Sequence, residues 1–232
     1  MENHKSDTVA TSTMTSADFD RWDHEAKDLE DNIRHLVAIS AGASASRLCA
    51  VTLAAQRRLQ QLTSLPDRVH FIQQARESML KMASIMGTPK SINALAELAK
   101  VVESDSAVAK ELAHTCLLRN QSNYDYNKMR TRGWKLFSTV YGKHAATVEA
   151  KLHSLYPDLA EVTIVDSYGR LLSETTYLNA RDTELCAIGS LVPLNVPTQL
   201  KSHCIGASRL GATEAMVQTA LRLAKLVCTK RP

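Results

Sequence analysis

Glu184 and His203 are the two side chains of this sequence best spaced to handle a proton together. Glu184 shares an apolar stripe with Ile188 and Leu191, at i, i+4 and i+7. His203 shares another with Leu200, Ala207 and Leu210. Pro193 and Pro197 interrupt the run between them, and Pro197 suits the first turn of a second helix. The stretch from Arg181 to Gly211 therefore reads as two short helices with a proline-bounded break. Short joints of this kind bring neighbouring faces together. Burial would raise the carboxylate's pKa and lower the imidazole's, whereas pairing would push both the other way. Either outcome makes the pair a candidate for proton transfer. The alternative is a buried hydrogen-bonded pair that only fixes the fold.

The surrounding pattern is more specific. It runs Asp182-Thr183-Glu184-Leu185, then Gln199-Leu200-x-x-His203-x-x-Gly206-Ala207, then Gly211-Ala212-Thr213-x-x-x-Val217. With its lead-in Tyr168-Gly169-Arg170-Leu171-Leu172, it resembles the carboxymuconolactone decarboxylase family, within the alkylhydroperoxidase D-like superfamily. The similarity covers about Arg130 to Val227 and suggests a divergent, fungal-type member. The peroxidase branch also has a glutamate nineteen residues before its histidine, and here 203 − 184 = 19. Its Cys-x-x-Cys would fall on Val196 and Gln199, so both redox cysteines are missing.

The resemblance implies an all-α helical bundle, rings of identical subunits, and decarboxylation of a small organic acid without metal or organic cofactor. Such a reaction leaves a carbanion or enolate to be stabilised and protonated. His203 would be the acid or base, and Glu184 would orient it or relay its proton. Arg181 or Arg209 would bind the substrate carboxylate through a bidentate contact. Two other readings stay open. One is a non-catalytic assembly protein that has kept the fold. The other is a thiol peroxidase, which needs a low-pKa thiolate. Contact between Glu184 and His203 at a cavity would favour chemistry. Space filled by side chains such as Met79 or Tyr168 would favour a scaffold.

Composition bounds the rest. The chain has 232 residues, enough for one or two domains and a substantial core. Hydrophobic residues make up 44%, ordinary for a soluble globular protein. The net charge of +4 is spread among interspersed charges, and aromatics are 5%, so no nucleic-acid surface is expected. Arg130 to Lys135 mixes basic residues with Trp134, but reads as a solvated helix start with a buried Trp. No apolar run is long enough to span a membrane. Cys49, Cys116, Cys186, Cys204 and Cys228 have no zinc-ligand or redox spacing, which suggests reduced thiols in a reducing compartment. That fits the cytoplasm or an organelle matrix, peroxisomal or mitochondrial. Residues 230–232, Lys-Arg-Pro, are not the peroxisomal import tripeptide, and the amino terminus reads as no secretory signal.

Residues 1–17 read as a disordered tail. An N-terminal helical half follows over 18–119. It opens with one helix carrying Phe19, Trp22, Ala26, Leu29, Ile33 and Leu36, and a small-residue break at Ala41 to Ser44. Further helices are expected at 46–62, 67–86, after Thr88 and at 106–118. The polar run 120–127 separates this half from a second at 128–230, with helices to Tyr141, at 144–155 and at 157–166, then a turn at Ser167 to Arg170. Asn179 and Thr213 read as N-caps. Ala75 to Leu80 echoes Ala180 to Leu185 at an offset of 105, and Pro89 echoes Pro197 at 108. In that register Met79 stands for Glu184 and Leu95 for His203, a degenerate tandem repeat whose first copy has no polar pair.

Overall fold

A computed structural model of the chain describes residues 16–115, 117–120 and 124–229. Among them every regular element is a helix, so the fold is all-α, including at Val162 to Val165. In order these are α1 (Ser16–Glu25), α2 (Asp31–Ser44), α3 (Leu48–Gln61), α4 (Leu65–Met86), α5 (Thr88–Glu103) and α6 (Ser106–Leu112). Then follow α7 (Tyr126–Tyr141), a 3-10 turn, α8 (Ala145–Leu155), α9 (Pro157–Glu161) and a π-helix (Val162–Leu172). The chain ends on α10 (Ala180–Leu194), α11 (Pro197–Arg209) and α12 (Glu214–Cys228). The expected tail lies outside the described residues over 1–15, as do Cys116, residues 121–123 of the polar run and 230–232.

The middle of the molecule is α10, buried from Asp182 to Leu191. It packs against α2, α4, α11 and α12. Since α2 comes from the N-terminal half, residues of both halves enter one continuous core. Local signals set the ends of several helices. The side chains of Asn179 and Thr213 accept from the backbone amides of Asp182 and Met216. Pro89 and Pro197 sit in the first turns of α5 and α11.

Several expectations are corrected. The first helix is two, because the chain turns at Ala26 to Glu30, where Asp28 accepts from the Thr219 hydroxyl at 2.8 Å. Trp22, Ala26, Leu29, Ile33 and Leu36 are buried all the same; the Phe19 side chain lies outside the described residues. The small residues Ala41 to Ser44 form the last turn of α2 rather than a break. They allow close approach: a Cβ on Gly42 would lie 2.9 Å from the Ala50 Cβ. Pro193 sits inside the last turn of α10, which ends two residues later on Asn195 in the left-handed conformation. Trp134 is exposed and stacks on Phe137, rather than being buried.

The largest difference is the π-helix, where a helix end and a turn were expected. In an α-helix, Thr163 and Leu172 would lie about 180° apart. The wider i→i+5 turn brings Thr163, Ser167, Tyr168 and Leu172 to one wall. One such bond runs from the Ser173 amide to the Tyr168 carbonyl at 2.9 Å. Two glycines seat this segment against α7. A Cβ on Gly133 would lie 1.9 Å from the Ile164 carbonyl oxygen, and one on Gly169 2.2 Å from that of Met129. Nothing larger fits either crossing.

Candidate functional site

Three elements converge on the Glu184–His203 pair. The first turn of α10 is fixed by its Asn179 cap and by Lys81 of α4. Lys81 is fully buried, and its ammonium donates to the Leu178 carbonyl at 2.9 Å, to Thr183 Oγ1 at 2.8 Å and to the Glu174 carbonyl. Burial holds its pKa down to about 8. Glu184 follows one residue after Thr183, facing α11. The Asn195 turn returns α11 alongside, with Gly206 one turn beyond His203. A Cβ on Gly206 would lie 2.9 Å from Glu184 Oε2 and 2.8 Å from Val140 Cγ1, so the missing side chain is what makes room for the carboxylate.

In that space His203 Nδ1 meets Glu184 Oε2 at 2.8 Å. Glu184 is 1% exposed and His203 6%. Glu184 Oε1 is buried with no hydrogen-bond partner among the described residues. Burial pushes the imidazole's pKa down, the Glu184 charge and hydrogen bond push it up, and the net direction is up. With Nδ1–H donated to the carboxylate, Nε2 of the neutral ring is the basic nitrogen.

His203 lines an open cavity of about 380 Å³. Its other polar walls are Tyr141, Tyr168, Ser84, Thr163, Ser167 and Gln199. Ile85, Leu172, Leu191, Leu194 and Val196 supply the apolar surface. Phe137, fully buried, positions both phenols: its ring is 4.4 Å from that of Tyr141 and 5.1 Å from that of Tyr168, the latter edge to face. Burial above all pushes both phenols up; Tyr168 raises Tyr141 no further but is itself raised by Tyr141, the Glu184 charge adds a smaller push to both, and both stay protonated. Tyr168 thus lines the cavity instead of filling it, and Met79 is buried elsewhere in the core. Neither tyrosine stood out in the sequence as a site residue. Tyr168 was visible only as part of a lead-in motif and as a side chain able to fill the space.

The arginines do not join the pair. Arg181 binds Asp182 at 2.7 Å and Glu30 at 2.8 Å. Arg209 donates to the Val140 carbonyl at the end of α7, under Gly142, where it complements the helix's negative end. Neither lines the cavity, because each is occupied by a nearer partner. Three of the thiols are held in the protonated form. Burial pushes Cys204 up, Cys228 to about 11 and Cys186 to about 12. Among the described residues no group of three or more His, Cys, Asp or Glu side chains is arranged to hold a metal ion. No described helix is long and apolar enough to cross a membrane.

No family model matches the chain. No solved structure matches it. It is similar to Peroxisomal protein 2 of Saccharomyces cerevisiae, at 30% identity over 168 residues, covering 66% of this chain and 59% of that protein. It is also similar to Peroxisomal protein 2 of Schizosaccharomyces pombe, at 31% identity over 149 residues, covering 64% of this chain and 66% of that protein. The chain thus spans less than two thirds of the length of either relative.

Proposed function

We propose that this chain is a divergent carboxymuconolactone decarboxylase-like enzyme that decarboxylates a small organic acid by acid–base chemistry, without a cofactor. The observation that carries the reading is the 2.8 Å contact between Glu184 and His203, whose ring lines a cavity large enough for a small molecule. Glu184 orients the ring and supports its charged form. His203 delivers a proton to the carbon that loses carbon dioxide. The test is a panel of small keto and lactone acids, followed by carbon dioxide release and by solvent deuterium appearing in the product. His203→Ala and His203→Gln should each lose about 10²-fold or more in rate. Conversion by both variants at the parent rate would overturn the assignment.

A second reading, a non-catalytic assembly protein, is favoured by a different feature. Leu155, Tyr156, Leu159 and Val162 are all exposed around α8 and α9. Apolar side chains clustered in this way suit an interface between identical subunits. Under either reading the chain is proposed to self-associate. Sedimentation of the parent beside Leu155→Glu/Val162→Glu checks this, and an unchanged monomer in both would refute it. The names of the two yeast relatives support a peroxisomal setting as a further proposal. Co-localisation of a fluorescent fusion with a peroxisomal marker tests it, and diffuse signal would count against it.

A further inference from the structure

The cavity beside His203 is poorly equipped to grip a carboxylate, because among the described residues no lysine or arginine lines it. It presents hydroxyls instead. Tyr168 is 4% exposed, and its hydroxyl is buried without a hydrogen bond of ordinary geometry. The hydroxyl of Tyr141 lies beside it on the same wall. A phenylalanine at 168 would keep the edge-to-face contact with Phe137, which does not use the oxygen. A buried hydroxyl whose polar neighbour is another phenol, too poorly aligned for a good hydrogen bond, gains when a bound molecule supplies a better acceptor. Both rings are held in place by Phe137, so a donor here is preorganised.

Building on the acid–base role of His203, we propose that Tyr168, with Tyr141, donates to the carbonyl oxygen of the substrate, and that the substrate is a β-carbonyl acid whose one charged group is the carboxylate it loses. The electron flow is balanced. The bond from the α-carbon to the carboxylate breaks, and its electron pair forms the carbon–carbon double bond of an enolate. The carbonyl π pair moves onto the oxygen held by the phenols, and carbon dioxide leaves. The Nε2 proton of the imidazolium then passes to the α-carbon, the carbonyl re-forms, and water reprotonates the ring. The net reaction consumes one proton and requires no oxidant or reductant. Burial keeps both phenols protonated, as a donor to an oxyanion must be.

The test uses 4-nitrophenolate, a planar delocalised oxyanion, as a stable mimic of the enolate, with benzoate as the carboxylate control. Calorimetry on the full chain should find the phenolate bound more tightly than benzoate. Tyr168→Phe should weaken phenolate binding about tenfold or more and leave benzoate unchanged. Tyr141→Phe should have a smaller effect in the same direction, and serves as the second variant if the first folds poorly. Equal phenolate affinity in the parent and both variants overturns the proposal, as does no phenolate binding by the parent. That result would leave the acid–base reading intact if the His203 variants still lose turnover. Tyr168-dependent binding beside unchanged turnover in those variants would instead sustain the donor assignment and remove the acid–base role.

Discussion

The helix pairs α4–α5 and α10–α11 share one plan and use their buried charged groups in opposite ways. Each pair joins its helices by a short turn through a positive-φ residue, Gly87 or Asn195, and has a proline in the first turn of its second helix. Where the second pair has Glu184 and His203, the first has Met79, fully buried, and Leu95, packed against the core. The first pair does bury charge. Its Lys81 has three acceptors, and both carboxylate oxygens of its Glu77 are held by Arg119. In the second pair Glu184 Oε1 has no such partner among the described residues, and the nearby Tyr168 hydroxyl has only that of Tyr141 beside it, without a hydrogen bond of ordinary geometry. Saturated buried polar groups hold a fold together, whereas unsaturated ones beside a cavity await a ligand.

The strongest way to break this contrast is to turn the second pair into the first. Glu184→Met/His203→Leu should lower turnover by about 10²–10⁴-fold. It should leave stability unchanged or slightly raised, because a buried polar pair replaced by apolar side chains of similar size often costs nothing. Glu184→Met alone should be less stable than the double variant, by about 1–3 kcal/mol, since it strands the imidazole. Urea unfolding with a turnover assay reads both quantities. Activity surviving in the double variant would mean that the pair is structural, like its counterpart.

The converse change removes a saturated group. Lys81→Met strips a donor from the Glu174 and Leu178 carbonyls and from Thr183. The expected loss is about 2–3 kcal/mol, with faster amide exchange over 174–183. Stability at the parent level would show that Lys81 is not the tie its hydrogen bonds describe. A smaller effect is expected from Gly206→Ala. The new Cβ must displace Glu184 Oε2 or Val140, at a cost of about 1–2 kcal/mol. It should also depress turnover, whereas Gly87→Ala in the first pair, strained at φ 89° at a residue that does not line the cavity, should act chiefly on stability.

Much of the second pair was legible in the sequence because short-range rules govern it. The Asn179 and Thr213 caps, the helical start at Pro197 and the 3.6-residue stripes place Glu184 opposite His203. What was not legible depends on partners far along the chain. Arg181 looked available for substrate although Asp182 stands next to it, and nothing local announces Glu30, its second partner. Arg209 did so because the Val140 carbonyl lies 69 residues away. The π-helix follows no common periodicity, so Tyr168 appeared to stand on a turn rather than on the cavity wall. Gly133 and Gly169 signalled the tight crossing with α7, but close approach and turning leave the same residue in a sequence.

The mildest expectation concerns two buried histidines, one in each half. In His203 the Glu184 carboxylate outweighs burial and raises the pKa above its ordinary value of about 6.5. Its contribution to stability is therefore complete below about pH 6.5 and fades as pH rises through the raised value. In His35, on α2, burial dominates and holds the pKa at about 4, despite Nδ1 lying 2.7 Å from the Asp31 carbonyl and Asp23 lying 3.9 Å from Nε2. The contribution of neutral His35 is complete above about pH 6.5 and is lost as pH falls from there towards 4. Stability measured across pH should thus slope upward through the acid range on account of His35 and downward through the alkaline range on account of His203. His35→Gln should flatten the first limb and His203→Gln the second, and an NMR titration of the two imidazoles reads the same difference directly. A His203 ring titrating below its ordinary value would mean that burial defeats the carboxylate there too. The two halves would then hold their histidines alike, and the proton donor assigned to the second would be uncharged at neutral pH.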